Sequence, residues 1–351
     1  MASVLRNRTD GRWEQVVAPA AVDSLVFSWI LYGVEGCILT VTNFPIVFAV
    51  FFYSKLRQQK EFVIVGALAL ADGIAGFGFL LAAIGRILLV QAGEGFILIT
   101  RWQCLLSPWV ILWAWCQPLT ALMLTVVSLD RLIAVSFPLR YYTYTNRYAF
   151  TLVGCAYGYV FIPFFIAAYR SYQVVNPDVP AYCLTFHGFT AADYVYFQNF
   201  LLAGTSLSVI LYIPVLIKLK FAMDSNQAID NSVKFKRLKR ATITLGISTF
   251  FTFIFYIVPM AFITFKVFKD LTVFYLMLNL NAMVNIFIYF TRFKEIRAGL
   301  KSLVMCRRNL NSEAIRNVTN RSRVIPVSQV RVSSIHPRVT AGTNGWTQEE
   351  I

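Results

Sequence analysis

Long apolar segments recur along most of the chain, and they restrict what it can fold into more than any other feature. They lie near residues 25–53, 62–90, 108–135, 147–169, 194–217, 241–264 and 270–290. A helix needs about 20 apolar residues to cross the hydrocarbon core of a bilayer. Only helices and closed barrels satisfy every backbone group there, and no segment shows the alternation of a barrel strand. The last segment is the weakest, being short and carrying Asn279, Asn281 and Asn285. Composition agrees: 58% of residues are hydrophobic and 14% are charged, against about 25% charged in soluble domains. The expected fold is an all-α membrane protein, a seven-transmembrane helix bundle.

The net charge of +15 does not point to nucleic acid, because the basic residues sit in short clusters between the apolar segments. Lys55, Arg57 and Lys60 follow the first segment, and Arg140 and Arg147 follow the third. Lys218, Lys220, Lys234, Lys236, Arg237, Lys239 and Arg240 follow the fifth, and Arg292, Lys294, Arg297, Lys301, Arg307 and Arg308 follow the seventh. The alternate connections carry only Arg101, Arg170, Lys266 and Lys269. The positive-inside bias assigns the rich set to the cytoplasm and the N-terminus to the outside, as in a multi-pass protein of the plasma membrane. Residues 1–24 are then an extracellular N-terminus, 25–305 the membrane domain, and 306–351 a cytoplasmic tail whose polar composition predicts disorder. Residues 1–24 lack the apolar core of a cleavable signal. Asn7-Arg8-Thr9 is a glycosylation sequon on the outer side. Six cysteines without metal-ligand spacing and two histidines give a zinc site or hydrolase little to work with. Asp72 and Glu35 lack an obvious catalytic partner, so no enzyme is expected.

The third segment ends in Ser128-Leu129-Asp130-Arg131-Leu132, followed by Pro138-Leu139. A membrane-edge ion pair would produce the same Asp-Arg letters. Other segments separate the readings. Asp72 lies deep in the second, where an ionisable residue needs polar partners. Asn285-Ile286-Phe287-Ile288-Tyr289 closes the seventh, with Asn281 one turn earlier, and Phe253 and Pro259 stand six apart in the sixth. Together these motifs resemble the rhodopsin-like (class A) G-protein-coupled receptors over roughly residues 25–305. The run Asn-x-Phe-Ile-Tyr-x-x-Arg-x-x-Glu-x-Arg from Asn285 to Arg297 is similar to nematode serpentine chemoreceptors of the srsx class.

The resemblance implies a receptor that couples to a heterotrimeric G protein and to arrestin. Its switch and coupling residues would be Asp130, Arg131, Pro138, Leu139, Tyr212, Phe253, Pro259, Asn285 and Tyr289. It implies a disulfide between Cys104 and Cys183. It also implies a sodium ion held by Asp72, Thr120, Asn281 and Asn285, although a polar seam gluing three helices would use the same residues. Three departures bear on switching: Ile257 stands where a Trp is expected, Gly204 where a Pro is, and Lys239 where an acid would lock Arg131. After Tyr289, Phe293, Ile296, Leu300 and Leu303 recur at helical spacing among basic residues, predicting a short amphipathic helix on the inner leaflet. Cys306 at its end is a palmitoylation candidate.

Trp109, Trp113, Gln117 and Thr120 share one face of the third helix. With Tyr196, Phe200, Met260, Thr264, Tyr275 and Asn279 they outline a pocket for a small, largely apolar organic ligand or a peptide. Trp113 stands where amine receptors carry an Asp, so an amine would lack its counter-ion. Arg86 and Glu35 are the charged candidates near that pocket. Arg86 receives a carboxylate in one reading and snorkels into the headgroups in the other. The rival class is a seven-helix transporter or channel, which inverted repeats or paired broken helices would favour; neither is visible.

Overall fold

The computed structural model describes residues 4–225, 233–265 and 272–305. The side chains of Tyr275, Asn279 and Tyr289, and Cys306 with the tail to residue 351, lie outside the described residues. Helix one runs Pro19–Phe52, helix two Lys60–Gln91, helix three Pro108–Ser136, helix four Asn146–Tyr172 and helix five Ala191–Ser225. Helix six comprises Val233–Thr252, a π turn Phe253–Ile257 and Val258–Thr264, and helix seven is Thr272–Arg292. Six of these are long and apolar enough to cross a membrane, and the seventh bends by 93° into Lys294–Val304. Pro19 and Pro108 open their helices at a position whose N–H needs no partner, so helix one begins six residues before the apolar segment expected at 25.

The bundle turns its apolar side chains outward. Phe27, Val41, Phe48, Ile162, Phe165 and Ile213 are 55–64% exposed, an arrangement suited to lipid rather than water. Small residues seat the first two helices against each other. A Cβ on Gly36 would stand 2.5 Å from the Gly76 carbonyl oxygen, and one on Gly76 would stand 2.5 Å from Leu39 Cβ. Close backbone approach of this kind lets helices gain dispersion contacts where lipid offers no hydrophobic driving force. The amphipathic Lys294–Val304 helix buries Ile296 completely, and Phe293 at the bend meets Phe62 edge-on at 5.6 Å.

At one end, backbone pairing builds a lid. Strand β1 (Val4–Asn7) pairs antiparallel with β2 (Trp13–Val16) around a turn that uses Gly11 at φ +78°. The β2 strand meets the helix two–three connection through Gln15 N–H to Phe96 O at 3.0 Å and a bridge from Glu14 to Ile97. In that connection β3 (Leu98–Ile99) pairs with β4 (Val179–Pro180), and Tyr182 N–H donates to Gly95 O at 2.8 Å. The Cys104–Cys183 disulfide fastens the same layer to the short helix Arg101–Leu105 that precedes helix three.

Candidate functional site

Beneath the lid lies a cavity of about 300 Å³. Helix three contributes Trp109, Trp113 and Gln117, whose spacing of four places them on one face. Helix one adds Trp29 and Tyr32, helix two adds Phe79 and Arg86, and the lid adds Phe186. Helix five contributes Tyr194, Gln198 and Leu201, and helix six Tyr256 and Met260. The helix five register thus differs from the sequence expectation. Tyr196 is 45% exposed, and Phe200 stacks on Tyr159 of helix four, with neither lining the cavity. Each lies two residues beyond a lining residue, a rotation of about 200° around the helix. Thr264 also stands outside the lining, its hydroxyl donating to Met260 O at 2.8 Å. Glu35 is half-buried and likewise outside it.

Arg86 does not snorkel. It is 7% exposed, and its Nε donates to Tyr182 O at 3.0 Å and Cys183 O at 3.2 Å, while Nη2 donates to Cys183 O at 2.8 Å. Trp109 Nε1 donates to the same Cys183 oxygen at 3.2 Å. Nearby in the lid, His187 accepts the Leu184 N–H at Nδ1. Burial first, then the charges of Arg86 and Arg101, lower its pKa to about 4.

The cavity floor is Tyr256, whose hydroxyl donates to Gln117 at 3.5 Å. A Trp was expected one residue later, at Ile257, and the π turn explains the exchange. Its extra residue rotates one part of the helix against the other, bringing Tyr256 inward. Phe253, an expected switch residue, is 46% exposed for the same reason. Pro259 is buried just beyond the turn, and it removes one backbone hydrogen bond where the helix changes pitch.

Deeper in the bundle, the four polar residues linked with sodium fall into two groups. Asp72 is buried and its Oδ1 accepts the Thr120 hydroxyl at 3.2 Å. Asn281 instead accepts from Thr252 at 3.0 Å and Asn285 from Ser248, both on helix six. Asp72 makes no ion pair among the described residues. Of the four, Asp72 and Thr120 are the residues that would hold a cation between helices two and three.

At the opposite end, Arg131 is 1% exposed. Its Nε donates to Asp130 Oδ2 at 3.0 Å, and its Nη2 donates to the same oxygen and to the Tyr141 hydroxyl at 3.0 Å. Arg131 Nη1 and Asp130 Oδ1 are buried without a hydrogen-bond partner among the described residues. Pro138 opens the short Pro138–Thr143 helix that delivers Tyr141, while Leu139 beside it is 83% exposed. The Lys60 ammonium sits 3.5 Å above the Tyr141 ring and donates to the Tyr141 carbonyl. Burial, more than neighbouring charge, raises the Tyr141 pKa, so the phenol stays protonated. Tyr212 of helix five is buried and donates to Thr242 O on helix six.

The family model of the serpentine type 7TM GPCR chemoreceptor Srsx matches residues 37–304. The chain belongs to this family. Comparison with curated proteins gives no match. The Srsx match begins inside helix one, so the strands β1 and β2 lie before it. It leaves the transporter reading without support, and a chemoreceptor family is one of receptors rather than enzymes. In this Srsx chain, sequence reasoning missed Trp29, Tyr32, Phe79, Tyr194, Gln198 and Tyr256 among the cavity residues. Aromatic residues at helical spacing were the available signal, but the lipid-facing positions are aromatic too.

Proposed function

We propose that this Srsx-family chain is a chemosensory receptor of the plasma membrane. It binds a small organic ligand in the lidded cavity and activates a heterotrimeric G protein at the Arg131 end. The observation that carries the reading is the placement of both features on helix three, with Trp109, Trp113 and Gln117 under the lid and Asp130 and Arg131 at the other end. The basic connections favour the Arg131 end as cytoplasmic, with the lid outside. That orientation makes Asn7, which is exposed, a glycan acceptor.

Ligand acts by shifting a population between two states. In the described state Tyr141 takes the place of the missing helix-six acid and holds Arg131 closed. A ligand pressing on Tyr256 favours outward movement of helix six beyond the π turn, which opens the groove beside Arg131 for the G protein. The exposed Leu139 is the group such a partner meets first, and Arg131 Nη1, a buried donor with no hydrogen-bond partner among the described residues, becomes available to it once the groove opens. A sodium ion at Asp72 and Thr120 would stabilise the resting state. Arrestin would follow phosphorylation of tail hydroxyls such as Ser333 and Ser334.

The test is a small-molecule screen in reporter cells expressing the full chain, with Arg131→Ala as the control. An agonist response in the wild type that Arg131→Ala abolishes at equal surface expression supports the reading. A ligand-driven current that persists without any G protein refutes it.

A further inference from the structure

Arg86 ties helix two to the lid and still has donors to spare. A guanidinium has five N–H donors, and two of its nitrogens, Nε and Nη2, are spent on the carbonyls of Tyr182 and Cys183. Nη1 makes no hydrogen bond among the described residues, and it is not among the side-chain atoms sealed away without a partner. The residue is 7% exposed and lines the cavity, and Nη1 and the second hydrogen of Nη2 are the donors it has left to offer there.

Carbonyl oxygens satisfy donors without cancelling a charge. Arg86 makes no ion pair among the described residues. The groups around it are neutral: the Trp29 ring, with the guanidinium carbon 6.0 Å from its centroid, Tyr32, Tyr182 and His187, whose lowered pKa keeps it uncharged. A buried, uncompensated cation is costly, and intramembrane ionisable residues mark ligand paths for that reason. The guanidinium is also immobilised by the disulfide-anchored lid, so little side-chain entropy is lost when an anion arrives.

We propose that Arg86 is the anion-recognition point of the cavity, and that the ligand is a small carboxylic acid with an apolar body. The carboxylate accepts from Nη1 and the remaining hydrogen of Nη2, the fork that matches its two oxygens. The body of the acid lies among Trp109, Trp113 and Phe79 above Tyr256. This inference rests on the cavity being the ligand site of the proposed receptor.

The experiment uses purified full chain in detergent, with benzoate and benzamide as matched probes of nearly the same shape. Binding is read from thermal unfolding and tryptophan fluorescence at millimolar probe. Benzoate is expected to stabilise the wild type and benzamide not to. Arg86→Gln should weaken benzoate about 10- to 100-fold, the cost of a charged hydrogen-bond pair, with Arg86→Lys intermediate. Because Arg86→Gln also loosens the lid and lowers the unfolding temperature, the wild-type comparison stands by itself. Equal binding of the two probes, no benzoate binding, or benzoate binding unchanged in Arg86→Gln overturns the proposal and leaves Arg86 a strut. Benzoate binding through Arg86 with no acid activating the reporter would instead keep the anion site and remove the receptor reading. Activation by a neutral ligand with no benzoate binding would do the reverse.

Discussion

The Tyr141 hydroxyl accepts a hydrogen bond from Arg131 Nη2 at 3.0 Å, joining a short connecting helix to the end of helix three. On the proposed reading, the contact that activation would break comes from the Pro138–Thr143 segment, Lys239 standing at the helix-six position where an acid would serve. Tyr141→Phe removes this acceptor while keeping the ring under Lys60. A hydrogen bond to a charged group is worth about 1.5 kcal/mol or more, roughly tenfold in population. Ligand-independent reporter signal is expected to rise in Tyr141→Phe at matched surface expression. An unchanged basal signal would remove Tyr141 from the lock.

His187 makes the lid sensitive to acid. Its folded pKa of about 4 lies below the ordinary 6.5, so the unfolded chain binds more protons between those values. Stability from this group is fully present above pH 6.5 and declines as pH falls toward 4, with a slope of at most about 1.4 kcal/mol per pH unit. Thermal unfolding in detergent across that range should show the decline, and His187→Asn should flatten it.

The Gly36 and Gly76 contact predicts a loss of folding rather than of signalling. Valine at either position drives a Cβ to within 2.5 Å of backbone or Leu39. Overpacking of this kind costs about 1–3 kcal/mol. Gly36→Val and Gly76→Val should lower the unfolding temperature and reduce surface receptor. Gly154→Val, at a glycine with open space around it, should leave both unchanged.

Asp72→Asn tests the cation. If sodium sits at Asp72 and Thr120, raising sodium at constant ionic strength weakens agonist binding in the wild type and not in the variant. Wild-type affinity that is indifferent to sodium would reduce the site to a polar contact between helices two and three.

Much of this was legible in the chain. Apolar length gave the spans, and Cys104 and Cys183 pair as the resemblance implied. Helix three was legible in register because Trp109, Trp113 and Gln117 recur at a spacing of four, while Trp115 falls on another face and packs on helix four. On helix five the aromatic residues Tyr194, Tyr196, Phe197 and Phe200 spread over several faces, and the signal that marks the Tyr194 face is Gln198 one turn later. Of the lid, the resemblance implied the Cys104–Cys183 tie, but its strand pairing rests on backbone groups of Gln15, Phe96, Gly95 and Tyr182, which carry no side-chain signature. Arg86 was ambiguous for a physical reason: a long cationic side chain near a membrane edge can turn toward water or toward protein, and only the position of the lid decides.

The π turn at Phe253–Ile257 leaves helix six with one residue more than an unbroken α-helix would need to span the same distance. That surplus behaves as slack in a rope. Moving it one step along the helix turns the residue it passes by about 100° while the segments on either side keep their places. Side chains at the turn can therefore change the face they present without either segment moving and with no net loss of backbone pairing. Deleting a single residue within Phe253–Ile257 would take up the slack and hold those side chains on one face.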